Sequence, residues 1–164
     1  LCIFIYFWYM KKMIIAILII TSSCVGTRTY NYNNGPSTQI DYYVSENTKK
    51  LDFPFSDATI VDNVIYVSGQ VGTLAGTREL IEGGIVNETT QALKNINSIL
   101  EDIGSSSNKI FKCLCMLNDI EDYGEMNEAY VKFFNKRKSM PSRSTFGAKI
   151  ALNGKIEIEC WAVK

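Results

Sequence analysis

The sequence predicts an α+β domain, a mixed sheet with two helices on one face. Three observations carry that prediction. Hydrophobic periodicity over residues 48–164 changes in the order ββ-α-β-α-ββ. The turn dipeptides Asp62-Asn63 and Asn153-Gly154 each separate two β-rich runs. The final run alternates apolar and other residues with the period of a strand that buries one face.

Each element follows from its own stretch of sequence. Ala58 to Gln70 (ATIVDNVIYVSGQ) holds two runs rich in β-branched residues around Asp62-Asn63, which reads as a hairpin. Val71 to Gly84 is a glycine-rich loop. From Asn87, apolar residues recur at Leu93, Ile96, Ile99/Leu100 and Ile103, a helical stripe that stops at Gly104. Lys109 to Leu117 reads as a strand. Ile120, Tyr123, Met126, Tyr130, Phe133 and Phe134 form a second helical face, ending in the basic cluster Lys136-Arg137-Lys138. Beyond Pro141, Ser142–Ile150 and Lys155–Val163 are expected to pair as a hairpin around a type I′ turn at Asn153-Gly154. In the last strand Ile156, Ile158, Cys160 and Ala162 make a core face. The opposite face, with Glu157, Glu159, Trp161 and Val163, suits an interface or a pocket better than open water.

The N-terminal quarter is a different object. Read from Met10, residues 1–26 contain a short basic stretch, an apolar run from Met13 to Ile20, and small residues from Thr21 to Gly26, the layout of a secretory leader. A membrane anchor over Leu1–Ile20 is the alternative, opposed by Lys11 and Lys12 at its centre. Residues 27–47 are rich in Asn, Tyr, Ser and Thr with no hydrophobic period, and are expected to form a disordered linker. Hydroxylated, acid-poor segments behind a signal also occur in bipartite plastid leaders. The expected route is secretory entry, with onward passage to a plastid-like organelle compatible; cytoplasmic or mitochondrial residence is the alternative. The packed domain is expected to begin at residue 48.

Composition narrows the chemistry. Seventeen basic and seventeen acidic residues cancel, which argues against a protein whose first task is gripping a polyanion. The chain has no histidine, so histidine-based nucleophilic catalysis and histidine metal sites are excluded. Of five cysteines, Cys2 and Cys24 lie in the leader. Cys113, Cys115 and Cys160 lack metal-loop or redox-motif spacing and read as small apolar core residues. No metal and no cofactor is expected.

One continuous signature goes further. Pro141-Ser142-Arg143-Ser144-Thr145-Phe146-Gly147-Ala148-Lys149, followed by Ile156-Glu157-Ile158-Glu159, resembles the C-terminal signature of the Rid/YjgF family. These are reactive enamine/imine deaminases, also known as L-PSP endoribonucleases. The resemblance runs upstream through Val67-Ser68-Gly69-Gln70, Gly83-Gly84-Ile85, Thr90–Ile96 and Asn127-Glu128-Ala129-Tyr130, in order and at family spacing. It implies a chorismate-mutase-like α+β sandwich that assembles as a homotrimer, with sheets forming a central barrel and ligand clefts between subunits.

The implied activity is hydrolysis of 2-imino and 2-enamino acids, such as 2-iminopropanoate and 2-iminobutanoate, to 2-keto acids and ammonia. Arg143 matches the family arginine that holds the substrate carboxylate, a role for which a planar, permanently charged guanidinium is suited. Glu157 matches the family glutamate that positions the attacking water and passes a proton to the departing nitrogen. Ser68 and Gly69 match a ligand-contacting strand end, and Asn127 and Tyr130 match cleft-lining helix positions. Two positions depart from the pattern: Phe55 stands where the family often has Tyr, and Thr145 where it often has Cys. With a turn at Asn153-Gly154, Glu157 falls opposite Ile150, on the other face from Arg143. Bringing the two together then requires a bulge at Gly147 or approach across a subunit boundary. An endoribonuclease, the older family label, and a non-catalytic ligand-binding or chaperone-like trimer are the alternatives. The neutral charge and the lack of histidine oppose the first of these.

Overall fold

The computed structural model describes residues 37–164 except Lys136, so the leader of residues 1–26 and the first part of the linker lie outside the described residues. The elements are β1 (Ile40–Tyr43), α1 (Glu46–Lys50), β2 (Ala58–Val61), β3 (Val64–Val71), α2 (Gly84–Asp102), β4 (Ile110–Leu117), α3 (Tyr123–Phe133), β5 (Ser142–Gly147) and β6 (Ile156–Val163). One six-stranded sheet runs in the order β1-β2-β3-β6-β4-β5. Only β4 and β5 pair in parallel; every other neighbouring pair is antiparallel. The expected mixed α+β sheet is therefore present.

Its core lies between one face of the sheet and the two long helices. Helix α2 turns Ile85, Ala92, Leu93, Ile96, Ile99 and Leu100 inward, and α3 contributes Met126 and Tyr130. They meet Ile65, Val67, Cys113, Leu117, Ile156, Ile158 and Cys160 from the sheet. Burying each large aliphatic side chain contributes about 1.5–3 kcal/mol, so this single layer accounts for most of the fold's driving force. The β2–β3 hairpin turns at Asp62-Asn63 as expected, with Val61 opposite Val64 and Asp62 at φ 52.

Three expectations need correction. Residues 40–47, expected within a disordered linker, hold β1 and the start of α1. The edge strand buries almost nothing, which is why no hydrophobic period marks it. It is held instead by its ladder to β2 and by the Tyr43 hydroxyl, which donates to Asp102 Oδ2 at 2.8 Å. Buried Asp57 anchors α1, accepting from Ser45 N at 2.7 Å and Thr48 Oγ1 at 2.7 Å.

The expected β5–β6 hairpin does not form. Strand β6 lies in the centre of the sheet with β3 on one side and β4 on the other, so β5 pairs with β4 at the far edge. The turn before β6 also slides by one residue. Leu152 and Asn153 take φ 57 and 60, while Gly154 sits at φ −63. Gly154 is held by close packing: a Cβ there would lie 3.2 Å from Ile150 Cγ2 and 3.4 Å from Glu88 Oε2. That buried carboxylate accepts from Lys155 N at 2.7 Å.

Cys113 and Cys160, read from the sequence as free core thiols, are joined by a disulfide across β4 and β6. They stand directly opposite in the antiparallel register, with Cα atoms 4.2 Å apart. Cys115 remains a free, buried thiol, its pKa pushed up to about 11 by burial.

Candidate active site

Sheet parity decides where each candidate residue faces. Arg143 on β5 lies opposite Cys113 and shares the helix-covered face. Glu157 on β6 alternates with buried Ile156 and Ile158, and so faces the uncovered side. Within one chain the two stand on opposite faces, and the candidate residues fall into two groups around two cavities.

The first cavity, about 780 Å³, opens between α3 and β5 and is lined by Tyr123, Asn127, Tyr130, Met140, Arg143 and Thr145 among others. Arg143 reaches across to α3. Its Nη2 donates to Tyr123 Oη at 3.1 Å and to Asn127 Oδ1, and its Nη1 lies 3.7 Å from Met126 Sδ. The guanidinium stacks over the Tyr130 ring at 4.6 Å and the Tyr123 ring at 5.5 Å. Among the described residues it forms no ion pair with a carboxylate. A planar cation held on aromatic faces, with no anion of its own, is suited to take the carboxylate of a ligand. The floor beneath it is polar and unsatisfied: Tyr130 Oη and Thr145 Oγ1 are buried without partners. Tyr130 is 2% exposed, and burial pushes its phenol up to about 12.

The second cavity, about 360 Å³, contains Phe55, Gly69 and Glu157. Strand β3 bulges here. Val67 pairs with Cys160 and Gln70 with Ile158, so Ser68 and Gly69 together oppose Glu159 alone. Bulges bend a strand and re-aim its side chains. A Cβ at Gly69 would collide with Glu157 Oε1, so only glycine leaves that carboxylate its place. Burial, with a smaller contribution from Glu159, raises the Glu157 pKa above the ordinary carboxylate value. Glu159 is held by Trp161, whose Nε1 donates to Glu159 Oε1 at 2.7 Å. The Ser68 hydroxyl donates to the Ser56 carbonyl at 2.7 Å, tying down the loop that carries Phe55. Phe55 stacks on Phe53 at 5.1 Å.

The structure thus brings Arg143, Asn127, Tyr130 and Thr145 together, and separately Glu157, Gly69 and Phe55, with Ser68 alongside. Sequence reasoning missed Tyr123 as a partner of Arg143, because its seven-residue spacing from Tyr130 reads as helical core. It also missed the Phe53 stack, for which the sequence offers only two aromatics flanking a proline.

The family model described as Endoribonuclease L-PSP matches residues 48–164. A mouse protein named 2-iminobutanoate/2-iminopropanoate deaminase is 39% identical over 112 residues, 68% of this chain and 82% of its own length. The chain belongs to the Rid/YjgF family. An Arabidopsis thaliana relative, Reactive Intermediate Deaminase A, chloroplastic, is 36% identical over 110 residues, covering 66% of this chain and 58% of its own. Among solved structures, the Escherichia coli YjgF gene product superposes with a TM-score of 0.69 at 27% identity, covering 76% of this chain and 98% of that one. This Rid/YjgF chain therefore shares sequence with proteins named as imine deaminases and fold with the Escherichia coli YjgF gene product.

Proposed function

We propose that this chain hydrolyses 2-imino and 2-enamino acids to 2-keto acids and ammonia, in clefts where the Arg143 face of one protomer meets the Glu157 face of the next. The observation that carries the reading is Arg143 itself, fixed by Tyr123, Asn127 and Tyr130 over a cavity and, among the described residues, paired with no carboxylate. A homotrimer brings the two faces together. Support for a covered interface comes from the uncovered side of the sheet, where Tyr66, Phe111 and Trp161 pack at centroid distances of 5.3 and 6.4 Å and the first two stay more than a third exposed.

The chemistry follows from the two groups. Arg143 takes the substrate carboxylate through its guanidinium fork and fixes the C=N carbon. Glu157 accepts a proton from water as the oxygen bonds to that carbon, and passes it to the imine nitrogen as the C=N π bond opens, giving a neutral carbinolamine. It then takes the carbinolamine hydroxyl proton and delivers it to nitrogen as the C=O bond forms; the C–N bond breaks, ammonia leaves and the 2-keto acid remains. A raised carboxylate pKa suits a group that must both take and return a proton near neutrality. An enamine enters the same route after protonation at its β-carbon. Residues 1–26 fit a leader for secretory entry, and the chloroplastic relative is compatible with onward passage to a plastid-like organelle; a fluorescent fusion reports where.

The test of the two-protomer site is complementation. Arg143→Ala and Glu157→Gln proteins, each inactive alone, are unfolded, mixed equally and refolded together. The assay couples threonine dehydratase to the mixture and follows the 2-keto acid. Random assembly leaves about a quarter of inter-protomer sites with both groups intact, so about a quarter of wild-type activity returns. No recovery from a mixture that has assembled would refute the shared site.

A further inference from the structure

The turn before β6 places its strain on a residue that gains no burial from it. Gly154 is occupied by its contact with Glu88, so positive φ falls on Leu152 and Asn153. Asparagine tolerates that region, whereas a leucine there is unfavourable. Leu152 is 46% exposed, so core packing does not offset the strain. What the conformation provides is position. Leu152 lines the same cavity as Glu157, together with Leu51, Phe53, Phe55 and Leu74. Strained backbone of this kind persists where a site uses the side chain it presents.

The acids of that cavity are Glu157, Asp57 and Asp102, and beside its wall the Arg78 guanidinium lies 5.1 Å over the Phe53 ring and donates to the Leu51 carbonyl at 2.8 Å. Asp57 and Asp102 are already engaged by Thr48 and Tyr43. Leu51, Phe53, Phe55, Leu74 and Leu152 give an uncharged aliphatic arm an apolar surface to pack on.

We infer that Leu152 is the specificity-determining residue of the Glu157 cavity, the wall against which the side chain of the imino acid packs. The inference rests on the deaminase reading above and adds its substrate preference: aliphatic side chains the size of leucine or methionine over the methyl of the alanine-derived imine.

The experiment generates imines in situ from leucine and alanine with amino acid oxidases of suitable specificity and follows hydrolysis by the wild-type protein, Leu152→Asn and Leu152→Gly. The wild type is expected to favour the leucine-derived imine over the alanine-derived one. In each variant the leucine-to-alanine ratio of kcat/KM falls about tenfold, the change residing in KM for the leucine-derived imine. Thermal stability of Leu152→Asn holds or rises, because asparagine accepts the left-handed backbone; this separates lost selectivity from lost folding. A ratio unchanged in both variants, or a wild type that favours the alanine-derived imine, overturns the Leu152 assignment while leaving the deaminase reading intact. Turnover of no imine at all would overturn the deaminase reading and this inference with it.

Discussion

Replacing Arg143 by alanine removes every contact that the proposed site makes with a substrate carboxylate. The side chain is held by two hydrogen bonds to α3 and by stacking on Tyr130 and Tyr123 at 4.6 and 5.5 Å, so its position is set before a ligand arrives. A charge-assisted, two-pronged contact in a partly dehydrated cleft is worth roughly 3–5 kcal/mol, about two to four orders of magnitude in kcat/KM. The fold should lose much less. Cation–π contacts at a half-exposed site contribute about 0.5–1 kcal/mol each, and the hydroxyl and amide left behind border a cavity that water can enter. A fall in Tm of no more than about 10 °C is expected. Arg143→Lys should recover little, because an ammonium cannot lie flat on Tyr130 or present a fork. The assay is the dehydratase-coupled release of 2-keto acid, run beside circular dichroism and sedimentation so that loss of activity is not confused with loss of structure. A folded Arg143→Ala protein with near wild-type kcat/KM would refute carboxylate capture by this residue.

Other perturbations probe the other half-site and the domain boundary. Glu157→Gln should lower kcat by about 10²–10⁴-fold with a smaller effect on KM. Because the folded state raises the Glu157 pKa, it binds a proton more tightly than the unfolded chain, so stability falls as pH rises from the ordinary carboxylate value through the raised one. The melting temperature of Glu157→Gln relative to wild type should therefore be higher at pH 8 than at pH 4, and a difference that is flat or reversed with pH would count against the desolvated carboxylate. Gly69→Ala should displace the Glu157 side chain and cost about 0.5–1.5 kcal/mol, a cost that vanishes in a Glu157→Ala background; additive effects in the double mutant would show that the collision is not the cause. Compared with a chain beginning at residue 37, one beginning at residue 48 loses the β1 ladder, the Tyr43–Asp102 bond and the Ser45 cap, and should unfold about 2–4 kcal/mol more easily in urea; equal midpoints would return the boundary to residue 48.

What the sequence made legible follows from how local each signal is. The stripe in α2 and the alternation in β6 are fixed by burial on one face, and both appear in the sequence as plain period. Strand β1 carries no such mark because it buries almost nothing; hydrogen bonds to β2 and the hydroxyl of Tyr43 hold it, and neither has a period. The hairpin expected at Asn153-Gly154 failed for a different reason. Turn chemistry reads four residues at a time, whereas the place of β6 between β3 and β4 depends on the whole sheet, and the contact between Gly154 and Glu88 spans 66 positions of chain. The Cys113–Cys160 pair is hidden in the same way, since spacing along the chain says nothing about which strands become neighbours. Parity survived the error: Arg143 and Glu157 were expected on opposite faces and lie there, although through β4 rather than through a shared turn. The roles proposed for these two residues come only through resemblance, because nothing in their spacing marks one as an anion holder and the other as a proton carrier.

The placement of the two groups on opposite faces is itself functional logic. On the same face and in reach, Arg143 and Glu157 would form an internal salt bridge. The guanidinium would then have its carboxylate and the glutamate its cation, and the Glu157 pKa would be pushed down rather than up. Neither would be free for a substrate. With the sheet between them, each is held by neutral partners instead: Arg143 by phenol, amide and aromatic rings, Glu157 by a glycine bulge and apolar surroundings beside a second acid. Among its described residues, an isolated protomer so built carries a cation without a carboxylate partner and a carboxylate whose ionisation is disfavoured. In the proposed assembly the two come together around an imino acid, whose carboxylate satisfies the first and whose nitrogen takes its proton from the second. Mutual neutralisation is prevented by the thickness of one sheet, and under the proposed trimer the reaction becomes available where a second copy supplies the other face.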